Sequence, residues 1–176
     1  MTDKQERILH AALELFARDG FKTTSTSKIA KHAGVSEGLI FRHFGNKDGL
    51  LEAILKEGEE RIKVIFSDII FESDAQALVL KTIDAFNPEN MKEEELEFWK
   101  LQYKIKWELE HYGEQKMEPL QLALTNAFEK LGCEQAGLEA MRMLVQLDGL
   151  ATRYFLMEKF DYQPLLNFLK KKYTFS

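Results

Sequence analysis

Gly34 and Gly45 each close a short apolar segment within the stretch from Thr24 to Lys47. Glycine ends helices readily because it adopts a left-handed backbone without steric cost. Side chains that can cap a helix stand where each segment begins: Thr24, Ser25 and Thr26 precede SKIAKHA, and Ser36 precedes EGLIFRHF. The stretch therefore predicts two short helices joined by a turn of about three to four residues.

The two predicted helices each have an apolar and a polar side. The inward residues are Ile29, Ala30, Ala33, Val35, Ile40 and Phe44, and the outward ones are Glu37, Gly38, Leu39, Arg42 and His43. The small side chains of Ala30 and Ala33 let the helices approach closely. Helix pairs of this kind read DNA in some proteins and are ordinary packing units in others. Geometry alone therefore leaves open whether this pair binds DNA.

The basic charge of the chain is concentrated in this stretch. Residues 22–47 contain five Lys and Arg against one Asp or Glu, whereas the whole chain has 24 against 29 and a net charge of −5. A local basic face on an acidic protein is typical of a short DNA contact surface. An adaptor that never binds DNA would not explain this local reversal of charge.

The composition predicts an all-α protein, and the helix start and stop signals along the chain predict about nine helices. Only three prolines interrupt a chain that is 45% hydrophobic, and runs of alternating apolar and polar residues are scarce. No apolar stretch reaches the roughly 20 residues that span a bilayer, so we expect a cytoplasmic protein without a membrane partner. The single Cys133 cannot form an internal disulfide, which fits a reducing compartment.

Five motifs from Ile8 to Leu55 occur together in a fixed order. They are LFARDGF, the T-S before a helix containing IA, the turn AGVS, the segment GLIFRHF and the opening NKDGL. In this order and spacing the segment strongly resembles the amino-terminal domain of the TetR family of bacterial transcriptional regulators. The resemblance implies a helix-turn-helix DNA-binding domain over residues 1–60 and a helical ligand-sensing and dimerisation domain over residues 61–176, joined within the fourth helix.

The same resemblance implies roles for individual residues on the DNA side. Phosphate contacts would come from Thr24, Ser25, Thr26, Ser36, His43 and Lys47, and contacts to base edges from Glu37, Leu39 and Arg42. Gly38 would allow close approach of the backbone. Phe41 departs from the family pattern, because many relatives have a tyrosine there whose hydroxyl binds a phosphate. We expect Phe41 to pack against a thymine methyl group or a sugar instead.

The predicted helix over residues 134–158 is apolar on two sides, so it needs more than one packing partner. The DGLA run at 148–151 resembles the family's helix that pairs with its own copy, where Gly149 permits close contact. We therefore predict a homodimer through the last two helices, with the interface residues Met141, Leu144, Val145, Gly149, Thr152, Leu156, Leu165, Phe168 and Leu169. The alternative is that these residues form only the core of a monomer.

Aromatic and methionine side chains suggest where a small, largely apolar effector could bind. The candidates are Phe66, Phe86, Trp99, Tyr103, Trp107, Met117, Tyr154 and Phe155. Aromatic residues at helical spacing also form ordinary cores, which is the alternative for each of them. The resemblance implies a repressor that binds a double-stranded palindromic operator and is released by the effector.

The sequence lacks four patterns that mark catalytic or phosphate-binding sites. There is no Ser-His-Asp pattern, no H-E-x-x-H, no paired E-x-x-H set and no glycine-rich phosphate loop. We therefore predict a regulator that is not an enzyme and has neither cofactor nor metal site. The alternative function is a helical dimeric adaptor or ligand-binding protein without specific DNA binding.

Overall fold

A computed structural model describes residues 2–109, 117–157 and 159–174. Its elements within these ranges are nine α-helices and one short 3-10 helix over Pro88–Asn90, with no strand, which confirms the predicted all-α class. The α-helices are α1 (Asp3–Asp19), α2 (Thr26–Ala33), α3 (Glu37–Phe44), α4 (Lys47–Ile70), α5 (Ala75–Ala85), α6 (Glu93–Glu108), α7 (Glu118–Lys130), α8 (Ala136–Leu156) and α9 (Gln163–Lys172).

Local capping determines where the first helices start and stop. The Thr2 hydroxyl accepts a hydrogen bond from the Gln5 amide, and the Gln5 side chain binds the Thr2 amide in return. The Ser25 hydroxyl accepts a hydrogen bond from the amide of Lys28 at the start of α2. Gly34 ends α2 in the left-handed region with φ of 64°, where a β-carbon would be strained. The two ends of α2 agree with the prediction from Ser25 and Gly34.

Two helices end earlier than their sequence patterns predicted. The expected helix over residues 92–112 is found as α6, which stops at Glu108, and its predicted stop at Gly113 lies outside the described residues. The expected helix over residues 134–158 is found as α8, which ends at Leu156. The prediction for Glu158 likewise lies outside the described residues.

The chain divides into two compact units. The first contains Met1–Ile62 and Lys92–His111, and the second contains Lys63–Met91 and Tyr112–Ser176. α6 thus groups with α1 to α3 and with the first part of α4. These units describe packing only. The assignment of a DNA-binding domain to residues 1–60 and of a sensing and dimerisation domain to residues 61–176 stays a prediction.

The core of the first unit forms where α1, α2, α3, α4 and α6 meet. Its largest fully buried side chains, all below 2% exposure, are Ile8, Leu15, Phe16, Ile29, Ile40, Leu50, Leu101 and Ile105. Leu101 and Ile105 come from α6, so this helix completes the core that supports the two short helices. Burying each such side chain stabilises the folded state by about 1.5 to 3 kcal/mol relative to leaving it exposed.

The core of the second unit lies where α7 packs against α8 and α5, with α9 against α5. Buried side chains there include Val79, Ile83, Leu120, Leu124, Phe128, Ala140, Met143, Leu147, Leu166 and Tyr173. The Tyr162 hydroxyl donates to the Phe86 carbonyl. No helix among the described residues has the length and hydropathy needed to cross a bilayer.

Candidate nucleic-acid interface

α3 presents one short polar and aromatic surface to solvent. Ile40 is fully buried beneath it, whereas Gly38 and Arg42 are exposed and the Phe41 ring is 48% exposed. Leu39 is only half-buried and packs against the core of the first unit, so its predicted outward position is wrong in part. Within α3 the most accessible side chains for a base edge are therefore those of Phe41 and Arg42.

The hydroxyls of Thr24, Ser25 and Thr26 at the start of α2 make different contacts. Thr24 is 1% exposed, and its hydroxyl donates to the Gly20 carbonyl at 2.8 Å. The Thr24 hydroxyl is therefore buried and bound within the protein, so it is not exposed for the predicted phosphate contact. Ser25 is exposed, and because its oxygen accepts the Lys28 amide at 3.2 Å, its own proton remains available to a phosphate.

The third hydroxyl binds a residue predicted to read bases. Thr26 donates to the Glu37 carboxylate at 2.6 Å. The contact joins the first turn of α2 to the first turn of α3 and draws the Glu37 carboxylate toward the protein. Both residues were predicted to bind DNA, and here each is the other's hydrogen-bond partner.

Lys47 differs most from its predicted role as a phosphate ligand. Its ammonium group donates to the carbonyls of Phe21 at 2.9 Å and Thr24 at 3.1 Å. It also lies 4.4 Å from the centre of the Phe21 ring, which adds a cation–π attraction. The ammonium of Lys47 thus holds the turn between α1 and α2 in place.

His43 and Ser36, the remaining predicted phosphate ligands, flank the exposed part of α3. The half-buried His43 ring lies 3.3 Å from the Gln5 side chain, measured between Nδ1 and Nε2. Ser36 is exposed at the N-cap of α3, but its hydroxyl makes no capping hydrogen bond. The Ser36 hydroxyl is therefore open to a partner from outside, whereas His43 is anchored to α1.

Two further exposed cations lie within residues 22–47 although the motif did not single them out. Lys22 and Lys31 are exposed, and only the excess of basic residues over 22–47 pointed to them. Lys28 instead pairs with Asp19 at 2.9 Å. Hydrogen bonds from Arg18 and Lys28 hold the pKa of the Asp19 carboxyl well below its usual range.

The residues predicted to bind an effector are divided between the two units. Trp99, Tyr103 and Trp107 are in the first, and the other five are in the second. Trp107 is 61% exposed, and its place in a cavity wall stays a prediction. Phe86 and Tyr103 are buried, Tyr154 is exposed, and Phe66, Trp99, Met117 and Phe155 are half-buried.

A cavity of about 290 Å³ lies within the second unit. It is lined by Ile70, Glu72, Ser73, Ala75, Leu78, Pro119, Leu122, Ala123, Asn126, Ala127 and Lys130. None of the predicted effector residues is among them. Across the described residues, no three His, Cys, Asp or Glu side chains cluster as a metal site requires.

The predicted dimer face is largely exposed. Val145 is 66% exposed, Phe168 64%, Met141 50%, Leu165 45% and Leu156 41%. Gly149 is exposed as well, while Leu144 and Thr152 are half-buried. Leu169 differs from these, because it is only 5% exposed and packs inside the second unit; its place in an interface stays a prediction.

Comparisons with known proteins agree with the motif. The family of bacterial regulatory proteins, tetR family, matches residues 8–54. TtgW, an uncharacterised HTH-type transcriptional regulator of Pseudomonas putida, is 30% identical over 92 residues, which are 52% of this chain and 69% of TtgW. YvkB, an uncharacterised HTH-type transcriptional regulator of Bacillus subtilis, is 47% identical over 57 residues. That match covers 32% of this chain and only 30% of YvkB.

The fold is also found in solved structures. A TetR-like transcriptional regulator from Rhodococcus superposes with a TM-score of 0.75 at 16% identity, over 97% of this chain and 93% of that protein. This likeness extends the agreement in fold beyond the helix-turn-helix to nearly the whole chain. With the matched motif and the relatives above, it follows that the chain belongs to the TetR family of bacterial regulators, which are not enzymes.

Proposed function

We propose that this protein is a cytoplasmic transcriptional repressor that binds a palindromic operator as a homodimer. A small, largely apolar effector releases it from the operator. The observation that carries the DNA-binding part is the surface of α3, where Phe41 and Arg42 are exposed on a helix anchored by the fully buried Ile40. A helix held this way can enter the major groove, where an arginine can bind the acceptors of guanine.

The homodimer is supported by the exposed apolar side chains of α8 and α9. Leu138, Met141, Val145, Leu165 and Phe168 are each at least 45% exposed. Five exposed apolar side chains on two helices of one unit are a candidate protein interface. A two-fold dimer would also explain a palindromic operator, because two heads contact half-sites about 34 to 36 Å apart or at a multiple of that distance.

The charge distribution supports contact with DNA over a limited surface. The acidic residues lie mostly outside residues 22–47, so the remainder of the protein repels phosphates. Binding should therefore depend on few phosphate contacts and on the sequence of the duplex. An adaptor without DNA binding has no need for such a distribution.

The test is selection of duplexes from a random pool by the purified full chain, followed by gel shifts at several salt concentrations. We expect a palindromic consensus and a linear fall of log affinity with log salt concentration. Failure to enrich any sequence, with weak binding to all duplexes, would contradict the proposal and favour the adaptor. Apolar compounds that dissociate the selected complex would then identify the effector class.

A further inference from the structure

The backbone amides of the turn between α1 and α2 are bound by a residue far along the chain. The Glu108 carboxylate at the end of α6 accepts hydrogen bonds from the amides of Lys22 at 2.7 Å and Phe21 at 3.1 Å. Hydrogen bonds to an ionised group are stronger than those between neutral groups. Glu108 lies well outside residues 8–54, which carry the family match.

Carbonyls in and just before the same turn accept hydrogen bonds from lysines of α4 and α6. The Lys47 ammonium at the start of α4 donates to the carbonyls of Phe21 and Thr24. The Lys104 ammonium of α6 donates to the Arg18 carbonyl at 2.7 Å, near the end of α1. The turn is therefore held by the Glu108 carboxylate on its amides and by the Lys47 ammonium on its carbonyls, while Lys104 binds the last turn of α1.

The turn leads directly into the surface proposed to contact DNA. Lys22 is an exposed cation of the turn, and Ser25 caps α2 immediately after it. Thr26 then joins α2 to α3 through Glu37. A change in the turn would displace the start of α2 and, through this contact, the orientation of α3. A misplacement of about 1 Å is enough to weaken hydrogen bonds that need donor and acceptor within about 3.2 Å.

We propose that Glu108 is a positioning residue for DNA binding, holding the α1–α2 turn in the conformation that presents Lys22 and the start of α2 to the operator. The inference rests on the proposed function, because it concerns affinity for an operator. Glu108 itself need not touch DNA. Its effect passes through the amides of Phe21 and Lys22.

The sign of the effect separates this role from general electrostatics. Removing a carboxylate makes the protein less acidic, which by itself should strengthen binding to a polyanion. Loss of the two hydrogen bonds should weaken it. A loss of affinity in Glu108→Ala would therefore run against the change in net charge.

The experiment measures the affinity of the full chain for its selected duplex at one salt concentration. The variants are Glu108→Ala, Glu108→Gln and, as the charge-matched control, Glu129→Ala, which removes an exposed carboxylate from α7. We expect Glu108→Ala to bind the duplex about tenfold more weakly, because it loses the two charge-assisted hydrogen bonds to the amides of Phe21 and Lys22. Glu108→Gln keeps an oxygen acceptor and should fall between Glu108→Ala and wild type. Glu129→Ala should bind at least as tightly as wild type.

A second readout is amide hydrogen exchange at the turn. Exchange at Phe21 and Lys22 should accelerate in Glu108→Ala while exchange in the middle of α1 stays unchanged. Equal affinity in wild type and Glu108→Ala, or lower affinity without faster exchange at these two amides, overturns the inference. If Glu108→Ala does not fold, the same two criteria are applied to Glu108→Gln. Wild-type protein that enriches no duplex contradicts the proposed function instead, whatever the exchange data show.

Discussion

The ring of Phe98 on α6 lies directly over Gly58 of α4, where a β-carbon would overlap the ring. Phe98 is 6% exposed and belongs to the core of the first unit. The two helices therefore approach each other so closely at this point that only glycine fits. Glycine inside a helix costs about 1 kcal/mol relative to alanine, and here the close contact with a buried aromatic ring offsets that cost.

Gly58→Ala should destabilise the protein although alanine favours helices. We expect the free energy of unfolding to fall by about 1 to 3 kcal/mol, because a ring in a packed core cannot move aside freely. Denaturant titration measures the change. Gly137→Ala in α8 is the control, since a β-carbon there meets nothing within 4 Å. It should stabilise the chain by up to about 1 kcal/mol, and an equal gain at Gly58 would contradict the contact.

Lys47→Met should lower stability as well as DNA affinity. The substitution keeps most of the side-chain length but removes the hydrogen bonds to the carbonyls of Phe21 and Thr24. We expect a loss of about 1 to 2 kcal/mol in the free energy of unfolding. The control is Lys31→Met, which changes an exposed lysine of α2 and should leave stability nearly unchanged. If both variants unfold like wild type, Lys47 is only a surface cation.

Arg42→Ala should relax the sequence preference of the protein. An exposed arginine on α3 that binds a guanine contributes about 1 to 3 kcal/mol of discrimination at that base pair. Selection with the variant should lose one conserved position in each half-site. Lys22→Ala is the comparison, because loss of a phosphate contact should weaken all duplexes alike and reduce the salt slope by about one. An unchanged consensus in Arg42→Ala would exclude Arg42 as the base-reading residue.

Val145→Glu should convert the proposed dimer to a monomer. Val145 is 66% exposed, so a carboxylate costs little in a single protomer but would be desolvated in an apolar interface. Light scattering after size exclusion gives the mass, and operator affinity should fall with it. Leu122→Glu on α7 is the control because Leu122 has a similar exposure of 64%. The interface is misplaced if Val145→Glu leaves the mass of a dimer unchanged.

Asp19→Asn should alter the dependence of stability on pH. Hydrogen bonds from Arg18 and Lys28 lower the pKa of Asp19 in the folded protein. The stability that Asp19 contributes is therefore complete above the pKa of about 3.9 in the unfolded chain. It is lost as the pH falls through the lower pKa of the folded protein. We expect the variant to be less stable at pH 7 and the difference from wild type to narrow below about pH 4. A difference that stays constant from pH 7 to pH 3 would contradict the shift.

The sequence was most informative where the signals are local. The cap of α2 at Ser25, the left-handed Gly34 and the bounds of α3 follow from residues only a few positions apart. Hydrophobic periodicity also placed two different faces on α8, where Leu147 is buried and Val145 is exposed. Both kinds of signal reflect backbone geometry within one helix, which sequence spacing describes directly.

The sequence was least informative about polar side chains that could bind either DNA or the protein itself. Thr24 and Lys47 fit a phosphate contact by residue type, yet both bind carbonyls within the first unit. The same limit applies in α9, where adjacent Phe168 and Leu169 were both assigned to an interface. Phe168 is 64% exposed and Leu169 is 5% exposed.

The helical class, the pair of short helices and the local excess of basic charge follow from capping, periodicity and composition, which act over a few residues at a time. The family resemblance came instead from five motifs in a fixed order between Ile8 and Leu55. The contacts of the Glu108 carboxylate with the amides of Phe21 and Lys22, and of the Phe98 ring with Gly58, are visible only in the folded protein. Such pairs are far apart in the chain, so their contacts arise from the way the helices pack and not from any pattern of neighbouring residues.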